Sequence, residues 1–122
     1  MGKITDNEFE LLNICWKKKE CTAREVFEES LKTKNRKYET IKTTLERMEK
    51  KGFLKRRKIG PVWLYTPNDH KKTFLNHMLD NFISTAFNGK PTPFLINLIN
   101  RRELSQTDLT IIKKEIEKIE EN

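Results

Sequence analysis

Between Tyr38 and Lys58 the sequence YETIKTTLERMEKKGFLKRRK changes its period once, and that change limits what the surrounding chain can be. Before Gly52, the apolar residues Ile41, Leu45 and Met48 recur at i, i+4 and i+7, the spacing of one helix face. After it, residues 53–59 and 62–66 are short runs rich in aliphatic and aromatic side chains. Gly60-Pro61 separates them and Pro67 ends the second, so they read as a β-hairpin. Thr40, Thr43, Thr44 and Arg47 fall on an arc beside the apolar stripe, a pattern that suits a helix lying close to another surface. Lys55, Arg56, Arg57 and Lys58 follow as consecutive cations on the first strand.

Two more helices precede this stretch. Thr5 and Glu8 form a capping box, with Ile4 placed to staple onto Phe9, and a helix running to about Lys18 turns Phe9, Leu12, Cys15 and Trp16, with Leu11, inward. Thr22 and Glu25 repeat the box and open a second helix carrying Val26, Phe27 and Leu31 inward. Residues 32–37 are a polar, basic turn, and Gly52 suits the C′ position of the third helix. Three short helices followed by a hairpin predict a winged helix-turn-helix over 1–70, in which the third helix enters a DNA major groove. Trp63 and Tyr65 alternate on one hairpin face, where packing into the core and stacking at the surface are both open, with core packing favoured.

Residues 71–122 read as a three-helix domain. A helix over 69–88 carries Leu75, Met78, Leu79 and Phe82, a short one over 93–100 carries Phe94 and Leu98, and a last one carries Leu109, Ile112, Ile116 and Ile119 in a coiled-coil-like seam. About 50 residues with this much apolar surface cannot close a core alone, so two copies are expected to interleave as a homodimer through those ten side chains. The other possibility is that the segment folds back onto its own N-terminal domain. The fold class expected is thus mainly α with one small β hairpin.

Charge follows the same division. Residues 1–70 hold 17 Lys and Arg against 11 Asp and Glu, and residues 71–122 hold 8 against 7, so the excess behind the net charge of +7 lies in the N-terminal part. A polyanionic partner is implied, and double-stranded DNA fits the helix pattern. Arg47, with Thr40, Thr43 and Thr44, is a candidate for base edges. Lys42, Lys50, Lys51, Lys55, Arg56, Arg57 and Lys58 suit phosphates, which position without specifying. From Lys50 to Lys58 there are six cations and no acid.

Other classes fit less well. Four glycines offer no phosphate-cradling loop, and the two histidines, His70 and His77, have no nucleophile in a plausible constellation, so no enzyme, small-molecule substrate or cofactor is expected. Seven residues apart on a helix, they stand about 10 Å apart along its axis, too far for one metal on a single chain. Cys15 and Cys21 are too few for a disulfide framework: Cys15 reads as a core residue and Cys21 as its partly buried neighbour. No apolar run approaches a membrane span and the N-terminus shows no signal-peptide pattern, so a cytoplasmic, soluble protein is expected. A winged helix used only to bind proteins would not need this cationic excess.

The order of Thr5-Asp6-x-Glu8 with Trp16, Thr40-Ile41-Lys42-Thr43 with Arg47, Lys50-Lys51-Gly52, Tyr65-Thr66-Pro67, Phe87-Asn88-Gly89, Asn97 and Leu104-Ser105 resembles the penicillinase repressor family, the BlaI/MecI type, along essentially the whole chain. The resemblance implies a dimeric winged-helix repressor of β-lactam resistance genes that binds an inverted repeat with TACA/TGTA-type half-sites. It also implies release from DNA when a membrane-bound sensor metalloprotease, triggered by drug, leads to cleavage in the dimerisation region. In that family the cut follows an asparagine, usually with phenylalanine after it; the matching pair here is Asn97-Leu98. Copper-responsive relatives carry Cys-x-Cys motifs near the C-terminus, whereas no cysteine follows Cys21 here. Control of an unrelated operon, for metals or cell-envelope stress, remains the alternative.

One departure bears on recognition. The family's third helix usually opens with Ser-Pro-Lys, and this chain has Lys37-Tyr38-Glu39. Lys37 is a poor cap. Glu39 can accept from a cytosine N4, pair with Lys42 or Arg36, or weaken phosphate binding.

Overall fold

The computed structural model describes residues 3–121. Its elements run α1 (Asp6–Lys18), α2 (Ala23–Ser30), α3 (Tyr38–Lys50), β1 (Leu54–Ile59), β2 (Val62–Pro67), α4 (Lys71–Ala86), α5 (Pro91–Asn100) and α6 (Gln106–Glu120). They divide into two compact units, Met1–Phe74 and Leu75–Asn122. No helix among the described residues is long and apolar enough to cross a membrane.

Local chemistry sets the boundaries of the N-terminal unit. Both expected capping boxes form: Thr5 Oγ1 accepts from the Glu8 N–H while Glu8 accepts from the Thr5 N–H, and Thr22 and Glu25 do the same for α2. Lys37, as expected of a poor cap, gives α3 no side-chain bond. At the other end of α3, Gly52 sits at φ 89°; its N–H bonds Glu49 O, and the Phe53 N–H reaches Met48 O at 3.0 Å. This is a Schellman stop, and it turns the chain from helix into strand within two residues. The strands pair antiparallel from Leu54↔Pro67 to Ile59↔Val62 around Gly60-Pro61, with Gly60 at φ 58° as the first turn residue, where that conformation favours glycine.

The core joins all these elements. Leu11, Leu12 and Cys15 of α1 meet Val26 of α2, Ile41, Leu45 and Met48 of α3, and Phe53, Leu54 and Tyr65 at the base of the hairpin. Phe74, in the first turn of α4, closes this core against Phe9, Trp16 and Phe53, with ring centroids 5.3–6.0 Å apart in edge-on geometry. Trp16 also donates from Nε1 to Asp69 O at 2.9 Å, tying α1 to the segment after the hairpin. Cys21 exchanges two backbone hydrogen bonds with Tyr65, so the loop between α1 and α2 acts as a third short edge beside β2.

Three sequence expectations change here. Leu31 is 42% exposed, because α2 stops at Ser30 and Leu31 forms its C-cap. Cys21 is fully buried, its Sγ 3.4 Å from that of Cys15. Trp63 is 37% exposed, because only the base of its hairpin face reaches the core; Tyr65, two residues nearer that base, is the buried aromatic.

The C-terminal unit has a different balance. Phe82, Phe87 and Phe94 form a triangle with centroids 5.6–5.8 Å apart, which links the end of α4 to α5. Ser105 and Asp108 cap α6 with a third box. Yet among the described residues of Leu75–Asn122 none is buried in the single chain. Leu75, Met78, Leu79, Phe82, Leu98, Ile112 and Ile116 are all exposed, Phe82 by 50% and Ile119 by 75%, while Phe94 and Leu109 are half-buried.

Candidate nucleic-acid interface

Helix α3 presents two faces whose residues follow from 100° per residue. Ile41, Leu45 and Met48 point into the core, and Glu39, Thr43 and Lys50 stand roughly opposite, all exposed, with half-buried Glu46 between them. Lys42 and Thr40 flank this face and are exposed too. Thr44 does not belong to it. It lies only about 60° around the helix from Ile41, is 3% exposed, and donates its hydroxyl to Thr40 O at 2.8 Å. The expected hydroxyl arc is therefore Thr40 and Thr43 alone.

Arg47 and Lys51 are held from behind. Glu8, fully buried on α1, accepts from Arg47 Nε at 3.0 Å and from Lys51 Nζ at 3.0 Å on both carboxylate oxygens. Burial resists the charge on Glu8, but the Thr5 N–H and the two cations outweigh it and hold the carboxyl at about 2, well below 4.5. Lys51 also donates to Lys3 O. Arg47 and Lys51, expected from the sequence at a base edge and a phosphate, also brace α1 against α3, and half of the Arg47 side chain remains exposed. Glu8 was visible in the sequence only as a capping residue. The missed signal is its place on the same face as Leu11, Leu12 and Cys15, at i+3, i+4 and i+7.

The wing cations divide between the two faces of the hairpin, as strand alternation requires. Arg56 lies with its guanidinium carbon 4.2 Å from the Trp63 ring centroid, and Lys58 Nζ sits 5.3 Å from the same ring, so Trp63 is the floor on which two cations rest. Arg56 also meets Glu49 at 3.3 Å, and Arg57, on the other face, meets Glu20 at 2.8 Å. The acids absent from the sequence between Lys50 and Lys58 are thus supplied by other elements. Lys55, Lys58, Lys42 and Lys50 make no ion pair among the described residues. Glu39 is exposed and pairs with neither Lys42 nor Arg36; Arg36 instead bonds Glu10 at 2.5 Å. That bond, with one from Thr33, keeps the Glu10 carboxyl below its ordinary range.

The side chains expected at a dimer contact line α4 to α6 as described, and Asn97 and Leu98 are exposed on α5, inside a regular helix. Among the described residues no cluster of three or more His, Cys, Asp or Glu side chains is arranged to hold a metal.

This arrangement has close counterparts. The family model for the penicillinase repressor matches residues 4–118. The chain is 31% identical to the penicillinase repressor of Bacillus licheniformis over 107 residues, covering 88% of this chain and 84% of that one. It is 28% identical to the methicillin resistance regulatory protein MecI of Staphylococcus aureus (strain N315) over 116 residues, covering 95% and 94%. The solution structure of monomeric Bacillus licheniformis BlaI in complex with the blaP half-operator superposes with a TM-score of 0.51 at 38% identity, covering 58% of this chain and 87% of that one. With three helices, a hairpin wing and a match along nearly its full length, the chain belongs to the penicillinase repressor family.

Proposed function

We propose that this protein is a dimeric, sequence-specific transcriptional repressor that places α3 in the major groove of an inverted-repeat operator and lays its wing along the flanking phosphates. The observation that carries this reading is the exposed face Glu39, Thr43 and Lys50 with half-buried Glu46, set opposite the core stripe and beside Lys42, Lys55 and Lys58, cations with no ion pair among the described residues. Lys42, Lys50, Lys55 and Lys58 meet phosphates, Thr40 and Thr43 approach base edges, and Glu39 and Glu46 are acceptors for cytosine N4 groups. Arg56 and Arg57 contribute to phosphates by exchanging Glu49 and Glu20 for DNA oxygens. BlaI, of known structure on a half-operator, supports the same use of this frame.

In this reading the exposed apolar surfaces of α4, α5 and α6 meet those of a second copy through Leu75, Met78, Leu79, Phe82, Phe94, Leu98, Leu109, Ile112, Ile116 and Ile119. Each half-site contact is modest, and linking two makes the second effectively intramolecular. A sensor metalloprotease cutting between Asn97 and Leu98 would remove α6 and leave the reading head intact. Because both residues lie within α5, cleavage requires that helix to open locally first; Lys90 gives it no side-chain cap. β-lactam resistance genes are the proposed target, as for the relatives named above.

Truncation after Asn97 tests the linkage. The shortened chain is expected to keep the N-terminal fold by circular dichroism and lose most operator affinity at 0.15 M salt. Undiminished affinity would contradict the proposed mechanism of release.

A further inference from the structure

Of the five arginines in Met1–Phe74, four meet a carboxylate: Arg36 with Glu10, Arg47 with Glu8, Arg56 with Glu49 and Arg57 with Glu20. Arg24 has no such partner among the described residues. Its guanidinium carbon lies 4.5 Å from the ring centroid of Tyr38 and 5.6 Å from that of Phe27. The two rings meet edge to face, 5.7 Å apart at 87°, so the first turn of α3 is fastened to α2 by this stack where Lys37 supplies no cap.

The stack leaves Arg24 charged and oriented. A guanidinium over a ring uses its flat face and keeps its N–H edge for a bidentate acceptor. Arg24 and Lys42 line one groove of about 490 Å³ between the start of α2, the outward side of α3 and the hairpin, with Tyr38 and Trp63 in its walls and Glu46 as its one acid. The start of α2 is not what attracts an anion there, because Thr22 and Glu25 already fill that helix end. The groove combines two unpaired cations with aromatic walls and opens beside the reading face, which suits one strand of a duplex backbone.

We propose that Arg24 binds a backbone phosphate of the operator duplex in this groove together with Lys42, and that Tyr38 is its positioning residue. The inference rests on the DNA-binding reading above.

The test compares full-length wild type, Arg24→Gln, Arg24→Lys and Tyr38→Leu on operator and scrambled duplexes from 50 to 300 mM salt, with melting curves of each. Arg24→Gln should lower the slope of log affinity against log salt by about one. It should weaken binding roughly tenfold at 0.15 M salt, without changing the preference for operator over scrambled DNA. Arg24→Lys should restore the slope but only part of the affinity, and Tyr38→Leu should lose affinity while keeping the slope near wild type. An Arg24→Gln slope and affinity equal to wild type would overturn the inference while leaving DNA binding itself standing. Wild type that binds neither duplex in a salt-dependent way would overturn the DNA reading first and this proposal with it. If Tyr38→Leu melts early, the two Arg24 variants still decide, since Arg24 is exposed and outside the core.

Discussion

Glu8 Oε2 accepts from Arg47 Nε at 3.0 Å across 39 residues of sequence, and this pair decides how the proposed reading helix is seated. Without Arg47, Glu8 still holds Lys51 on both carboxylate oxygens, so what is lost is one charged hydrogen bond, worth about 1.5–3 kcal/mol. Arg47→Ala should therefore act first on folding and only then on DNA. Urea denaturation is expected to show that loss, and a variant as stable as wild type would free Arg47 for a purely DNA-facing role.

The same pair gives the fold an acid limit. Because the Glu8 carboxyl is held at about 2 against 4.5, its stabilisation is complete above about 4.5 and is lost as pH falls toward 2. Stability measured between pH 2 and 7 should fall more steeply across that window for wild type than for Glu8→Gln; parallel curves would show that Glu8 is not the group responsible.

Thr43 and Thr44 are neighbours with opposite surroundings. Thr43→Val should weaken discrimination between operator and scrambled duplex while leaving the melting temperature nearly unchanged. Thr44→Lys, which forces a charge toward Ile41 and Leu45, should cost several kcal/mol of stability. The reverse outcome would mean that α3 is rotated from the orientation described.

The C-terminal unit should not remain a monomer with Phe82 and Ile116 uncovered. Sedimentation is expected to give a dimer for wild type and a monomer for the double variant Phe82→Glu, Ile116→Glu. A wild-type monomer at tens of micromolar would contradict the proposed interface.

Much of this was legible because the signals are local. The boxes at Thr5/Glu8 and Thr22/Glu25, the Gly52 stop, the hairpin turn at Gly60-Pro61 and the stripe Ile41, Leu45, Met48 each depend on residues a few positions apart. What the sequence concealed depends on distant partners. Glu8 is separated from Lys51 by 43 residues and Arg57 from Glu20 by 37, so cations that look free in the sequence are paired in the fold. Trp63 and Tyr65 share a hairpin face, and only the depth of the core along that hairpin determines which one is buried. Thr44 was legible in principle, since strict helical rotation already places it with Ile41 rather than with Thr43.

Fluorescence anisotropy reads sequence-specific binding to a DNA dyad in a single titration. The duplexes are an inverted repeat of TACA/TGTA half-sites and a scrambled control, titrated from 50 to 300 mM salt. A preference for the dyad of roughly a thousandfold, with affinity falling steeply as salt rises, is the predicted result. Equal and weak binding to both duplexes at every salt concentration would contradict it.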